Sequence, residues 1–326
     1  MLRALFQRLA LGASLVVLVS VALFSGVPSA SARSQVSLPN CPLLLDLYQH
    51  CYVALNITSP PLDASAGVTN IGIGSDIQIF NPKVGTRDSE SIAQMIAFGC
   101  YPTCAGNSPD FDIEFGWIVA PHSTWTYPPQ ANKSSGMDPY THLFVFVRSN
   151  TSPKAACLVQ WNGTGWDCGW NSNYPGGSSD YPGEVIVPNA SQPPVGHFVI
   201  VYSNGNWWLG YNNKWIGNVS GNWFGQDQQG NYKFSSVGYA QWSGEVGINS
   251  HSVSTEMGNG TCGTAPFSAQ FLNMNLAESG FTISARDPAL YPSMQITDSE
   301  LYNGYSYTPP NTTNSILSYG GPKGCK

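Results

Sequence analysis

Charge is scarce in this chain. Asp, Glu, Lys and Arg together make up 10% of its residues, the formal net charge is -6, and no stretch concentrates lysine or arginine. Nucleic acid is therefore excluded as a partner, because phosphate backbones are held by clustered cations. Few carboxylates also leave few ion pairs to lose in acid, so the composition is compatible with acid tolerance. Beyond Leu23 no apolar run is long enough to cross a bilayer as a helix. Several catalytic signatures are missing too: Gly-x-Ser-x-Gly, Asp-Thr-Gly or Asp-Ser-Gly, His-Glu-x-x-His and Gly-x-x-x-x-Gly-Lys. Their absence sets aside elbow-type serine hydrolases, paired-aspartate proteases, zincins and P-loop enzymes. The histidines, His50, His122, His142, His197 and His251, are scattered, and Cys100 with Cys104 is the one close cysteine pair. No metal site and no cofactor are expected from such spacing. Neither a repeat of fixed period nor a Gly/Ser linker divides the chain.

What is present begins with a leader. Arg3 and Arg8 precede an apolar run from Leu9 to Leu23, and Ser29-Ala30-Ser31-Ala32 offers small residues for cleavage. Residues 1–32 thus read as a secretory signal peptide, with a secreted mature chain starting near Arg33 and no membrane attachment after cleavage. All 8 cysteines follow the leader, so disulfides are the default. Cys157 and Cys168 flank Trp161-Asn162-Gly163-Thr164-Gly165-Trp166, whose Asn-Gly favours a tight hairpin that brings them together. Cys41 with Cys51 and Cys100 with Cys104 are the next pairs by spacing, leaving Cys262 for Cys325.

Abundant Gly, Pro, Tyr and Trp mark a turn-rich β protein rather than a helical one. Residues 33–66 show no sustained period and read as an N-terminal extension, a short propeptide or an edge strand. A β-rich body spans 67–287, and 288–326 is a Tyr/Pro/Asn-rich tail. Strands are expected at 68–80, 111–119, 142–148, 184–187, 196–203, 206–211, 232–238, 239–248, 267–276 and 281–286. Ser89 to Ala97 fits either a strand or a helical turn. Ser203-Asn204-Gly205-Asn206 is a strong hairpin turn. Residues 121–140 and 171–183 are long loops of the kind that shape clefts. One all-β, antiparallel double-sheet sandwich of jelly-roll type accounts for the pattern.

Two strands in that body stand out. In Phe111–Val119, the residues Phe111, Ile113, Phe115, Trp117 and Val119 share one face, and Asp112, Glu114, Gly116 and Ile118 share the other. In Tyr239–Ile248, Ala240, Trp242, Gly244, Val246 and Ile248 oppose Tyr239, Gln241, Ser243 and Glu245. Glu114 and Glu245 are therefore candidates for a catalytic carboxylate pair, although periodicity alone ranks them little above Glu184 or Glu256. Two carboxyls in one low-dielectric cleft do not both ionise readily, so one activates water while the other donates a proton. Such a pair serves amide and glycoside hydrolysis alike. Gln241 shares the face of Glu245 and is a candidate to bind the oxyanion or the water. Trp117 and Trp242 point to the core. Trp207 and Trp208 face opposite ways, so one of them is a candidate to line a cleft for an extended peptide. Asn-x-Ser/Thr occurs at Asn56, Asn132, Asn150, Asn162, Asn189, Asn218, Asn259 and Asn311, sites of glycosylation in a eukaryotic source.

Asp112-Ile113-Glu114-Phe115-Gly116-Trp117 and Thr141-His142-Leu143-Phe144 resemble blocks of the neprosin family of plant and microbial glutamic prolyl endopeptidases. Gly205-Asn206-Trp207-Trp208-Leu209, Trp242-Ser243-Gly244-Glu245-Val246, His251 and Thr255-Glu256-Met257-Gly258-Asn259-Gly260 follow in the family's order. The resemblance covers roughly 67–276. It implies a single catalytic sandwich domain in which Glu114 and Glu245 act on water, without a cofactor, to cleave a proline-rich peptide or protein after proline in acid. Two departures bear on this expectation. Plant members carry a sizeable inhibitory pro-domain that 33–66 is too short to be. Glu256 stands where the family usually has Gln, and a third carboxylate near the pair would raise its pKa values. A glycoside hydrolase and a non-catalytic carbohydrate-binding sandwich are the competing readings.

Overall fold

A computed structural model describes residues 41, 49–58, 70–101, 109–150, 155–172, 180–186, 194–249, 255–278, 283–284, 292–309, 315–323 and 325. The leader at 1–32, Cys104, His251, Asn189, Asn311 and most of the 171–183 loop lie outside the described residues.

In chain order the strands begin with β1 (Gln49–Thr58), β2 (Asn70–Gln78), β3 (Glu90–Gly99), β4 (Phe111–Val119), β5 (Thr124–Trp125) and β6 (Gly136–Met137). They continue with β7 (His142–Ser149), β8 (Ala155–Leu158), β9 (Trp170–Ser172), β10 (Val195–Ser203), β11 (Asn206–Tyr211) and β12 (Lys214–Ser220). The last are β13 (Tyr239–Ile248), β14 (Ala269–Glu278), β15 (Ile283–Ser284), β16 (Pro292–Ile296), β17 (Asn303–Tyr307) and β18 (Ser315–Gly320). One sheet runs β16-β1-β13-β3-β4-β7-β8, and the other runs β17-β18-β14-β2-β10-β11-β12-β9 with β15 beside β14. The two sheets pack as a sandwich, so the all-β, double-sheet expectation holds.

Alternation explains the packing. Phe111, Ile113, Phe115, Trp117 and Val119 of β4 are all buried in the core between the sheets, as are Trp242, Val246 and Ile248 of β13. Phe115 meets Phe198 of the opposite sheet edge-to-face at 5.1 Å, and Phe111 meets Phe224 and Phe234. Gly244 is required here because Tyr319 of β18 packs onto it: an added Cβ would lie 2.2 Å from that ring. The β10–β11 turn is built as expected, with Asn204 and Gly205 both at positive φ.

Two stretches set outside the body by the sequence reading belong to its sheets. β1 lies within 33–66 yet is internal, paired along its length with β13 and on its other side with β16. Its alternation is clear in retrospect: Cys51, Val53, Leu55 and Ile57 are buried in the core. The 288–326 tail supplies β16 to the first sheet and β17 and β18 to the second. The 89–97 ambiguity resolves as strand β3. Among the described residues of the strand expected at 184–187, Val185 forms one bridge, to His142, and 232–238 forms no strand, although Phe234 and Val237 are buried in the core.

Disulfides join Cys41 to Cys51, Cys157 to Cys168, and Cys262 to Cys325, as expected. Cys100 is disulfide-bonded as well. No helix among the described residues is long and apolar enough to cross a membrane.

Candidate active site

The outer face of the first sheet is a grid set by strand register. Phe146, Glu114, Ile96, Gln241 and Asn56 form one row across β7, β4, β3, β13 and β1. Phe144, Gly116, Gln94, Ser243 and Ala54 form the next. His142, Ile118, Ile92, Glu245 and Tyr52 form the third. Glu114 and Glu245 thus share one face two rows apart, each one row from Gln94. The small residues Gly116 and Ser243 flank that glutamine in its row.

The glutamates have different surroundings. Glu245 is buried and collects donors. Gln94 Nε2 donates to its Oε2 at 2.9 Å, His50 Nδ1 lies 2.6 Å from its Oε1, and the Tyr52 hydroxyl also hydrogen-bonds to it. Glu90 stands behind His50, at 3.8 Å from the same nitrogen. Burial, then the Glu245 and Glu114 charges, push the Tyr52 hydroxyl far up, so it remains a donor. Glu114 has the opposite fate. Burial first, and then the Asp112 and Glu245 carboxylates, hold its pKa well above the usual glutamate value, with Arg148 opposing them. Asp112, two residues along, is raised to about 6 by burial despite its ion pair with Arg148 at 2.5 Å. A carboxylic acid that stays protonated near a donor-rich carboxylate is the division of labour that acid–base hydrolysis uses.

A second apolar cluster roofs one side of this face. Trp125 and Tyr127, from the 121–140 loop, join Tyr181 over Ile92, Ile118 and Phe144. Trp125 stacks on His142 at 4.4 Å, and His142 spans Gly183 O and Asp138 Oδ1.

Gln241 lies in Glu114's row, with Nε2 donating to Ser243 Oγ at 3.0 Å. The tryptophan expectation is corrected. Trp207 is fully buried between the sheets, donating to Phe234 O, and Trp208 lies on the outer face of the second sheet against Trp215. Strand alternation carries both away from the glutamates, so neither lines their cleft. Glu256 is corrected as well. It binds Lys323 at 2.6 Å and the backbone N of Lys83, and these contacts outweigh its partial burial and lower its pKa. It fastens the C-terminal segment and exerts no resolved effect on Glu114. Sequence reasoning missed His50, Tyr52 and Gln94. The first two lie on the stretch left open between an extension, a short propeptide and an edge strand, and the third on the stretch left between helix and strand.

A family model for neprosin matches residues 91–322, well over half of the chain. The chain belongs to the neprosin family. Membership implies a peptidase-type function. The match begins within β3, so this neprosin domain includes both glutamates, Gln94 and Gln241, while His50 and Tyr52 come from a strand upstream of it. No curated protein matches the chain. Among solved structures, the beta-porphyranase BpGH16B from the human gut bacterium Bacteroides plebeius matches at 9% identity and a TM-score of 0.21. That match covers 60% of this chain and 65% of the porphyranase, so the chain spans less than two thirds of that enzyme. The likeness is too slight to bear on the site.

Proposed function

We propose that this neprosin-family chain is a secreted glutamic endopeptidase that cleaves after proline in acid, with Glu245 as general base and Glu114 as general acid. The observation that carries the reading is the unequal setting of two glutamates on one sheet face, Glu114 held protonated and Glu245 held by donors. A water held between them gives a proton to Glu245 and attacks the scissile carbonyl carbon. Glu114 gives its proton to the departing amine nitrogen as the C–N bond breaks. The two glutamates then exchange the proton through solvent, and the balance is one water consumed per peptide bond. Gln94 keeps Glu245 oriented through Nε2. Its Oε1 is buried with no partner among the described residues, so it offers an acceptor to the water. Gln241 is the nearest side-chain amide in Glu114's row and serves as donor to the tetrahedral oxyanion.

Proline preference and the acid optimum are extended to this chain from the family resemblance. Secretion is supported by the leader-like N-terminus and by the disulfides.

The test is cleavage of a quenched fluorescent peptide containing one proline, followed from acid to neutral pH in wild type, Glu114→Gln and Glu245→Gln. Post-proline cleavage lost in both folded variants supports the reading. Full activity in both variants overturns the pair, and activity of wild type on polysaccharide but not on peptide overturns the peptidase.

A further inference from the structure

A cavity of about 690 Å³ is formed at the 121–140 loop. Its walls include Tyr127, Lys133, Met137, Asp138, Tyr140 and Glu184, and neither glutamate of the pair. Lys133 already shows what it holds. Its Nζ lies 2.6 Å from Glu184 Oε1 and 5.3 Å from the centroid of the Tyr127 ring. An ammonium between a carboxylate and an aromatic face is held by two interactions that select cations.

The receiving groups are fixed, and the lysine is not. Tyr127 is buried in the second apolar cluster. Glu184 is pinned through its backbone, whose N–H donates to Tyr181 O and whose carbonyl accepts from Leu143 N. Asp138 is held at 2.8 Å by His142 Nε2. Lys133, by contrast, belongs to the exposed run 132–135 and ends a long flexible side chain. A surface pair of this kind is worth at most about 1 kcal/mol, so a ligand can displace it.

The cavity is also in line with the site. His142, which holds Asp138, stands in the same row as Glu245, three strands away across Ile118 and Ile92. At ~4.8 Å per strand this is about 14 Å, or roughly four residues of extended peptide. Ile92, directly across from Glu245, belongs to the same buried cluster as Tyr127, so one packed cluster connects the cavity wall to the pair.

We propose that this cavity is a distal substrate subsite for a lysine or arginine side chain, about four residues from the scissile bond, with Lys133 as the internal occupant that the substrate displaces. This rests on the peptidase reading. Removing Lys133 frees the Glu184 carboxylate and strengthens the subsite. Removing the Glu184 charge abolishes it.

The experiment walks one Arg, against Gln as control, through two to six positions on either side of proline in the quenched peptide. Wild type, Lys133→Met and Glu184→Gln are compared by the ratio of kcat/KM for the Arg and Gln peptides. One position is expected to give a ratio of about five in wild type, the worth of one exposed cation–π contact. The ratio should rise in Lys133→Met and fall to one in Glu184→Gln. A ratio of one at every position in both wild type and Lys133→Met overturns the proposal. If wild type cleaves no peptide, the peptidase reading has failed separately. Fluorescence anisotropy of the same labelled peptides then decides the subsite: Arg-selective binding lost in Glu184→Gln supports it, and equal binding of Arg and Gln peptides overturns it.

Discussion

Glu114 on the outer face of the first sheet and Asp76 on the outer face of the second are both mid-strand carboxylates in antiparallel sheets, yet their acidities move in opposite directions. Partial burial works against the charge of Asp76, but hydrogen bonds from His197 Nδ1 and Asn273 Nδ2, each at 2.6 Å, outweigh it and lower the pKa. For Glu114, burial is reinforced by Asp112 and Glu245, and the acid form wins. The backbone treats the two alike. What separates them is the crowding of Glu114 by the Asp112 and Glu245 charges, where Asp76 has two donors instead. A carboxylate on a strand becomes chemically poised when its environment withholds compensation, and alternation alone does not reveal that.

The largest effect that would break this comparison is on activity. Glu114→Gln should lower kcat/KM on the proline peptide by about 10²–10⁴-fold, the usual worth of a positioned general acid. Asp76→Asn should change it less than about twofold, since Asp76 lies on the opposite side of the sandwich. Comparable losses in both variants would mean that the first face is not special. Next in size are the donors on β1. Tyr52→Phe and His50→Gln each remove one hydrogen bond to Glu245, worth roughly 10–100-fold in kcat if Glu245 is ionised when it acts. Thermal unfolding of the same variants checks that the loss is catalytic, because β1 also carries core residues.

The sandwich was legible because alternation over nine or ten residues is a strong signal, as in β4 and β13; alternation put Glu114 and Glu245 on polar faces, but the resemblance singled them out from Glu184 and Glu256. Neighbours in the sheet were not. The register that sets Gln94 between the glutamates depends on β3 pairing with both β4 and β13, and pairing partners far apart in sequence leave no local trace. β1, which the sequence left open between an extension, a short propeptide and an edge strand, was not legible for a related reason. Its alternating Cys51 to Ile57 is short and set among residues without a period, so only its place between β13 and β16 shows it to be a sheet strand. Trp207 and Trp208 illustrate the limit most sharply: adjacency dictates that they face opposite ways, but not which sheet they occupy.

Stability against pH offers a finer contrast, and the signs are opposite on the two faces. Glu114 has a native pKa above its unfolded value of 4.5. Its contribution is therefore intact below 4.5 and declines as pH rises from there towards the native value, by up to about 1.4 kcal/mol per pH unit. Glu114→Gln should match wild type in acid and become the more stable protein towards neutrality. Asp76 is lowered from 3.8, so its contribution is present above 3.8 and fades as pH falls through the native value. His197 is raised from 6.5, chiefly by the Asp76 hydrogen bond, so its contribution is present below 6.5 and fades as pH rises through the native value. The pair is worth most between those limits. Asp76→Asn should cost roughly 0.2–1 kcal/mol there, the range of a part-exposed ion pair, and less on either side. Denaturant unfolding at a series of pH values measures both variants at once. Curves for Glu114→Gln and Asp76→Asn that deviate from wild type in the same direction would erase the distinction between the two faces.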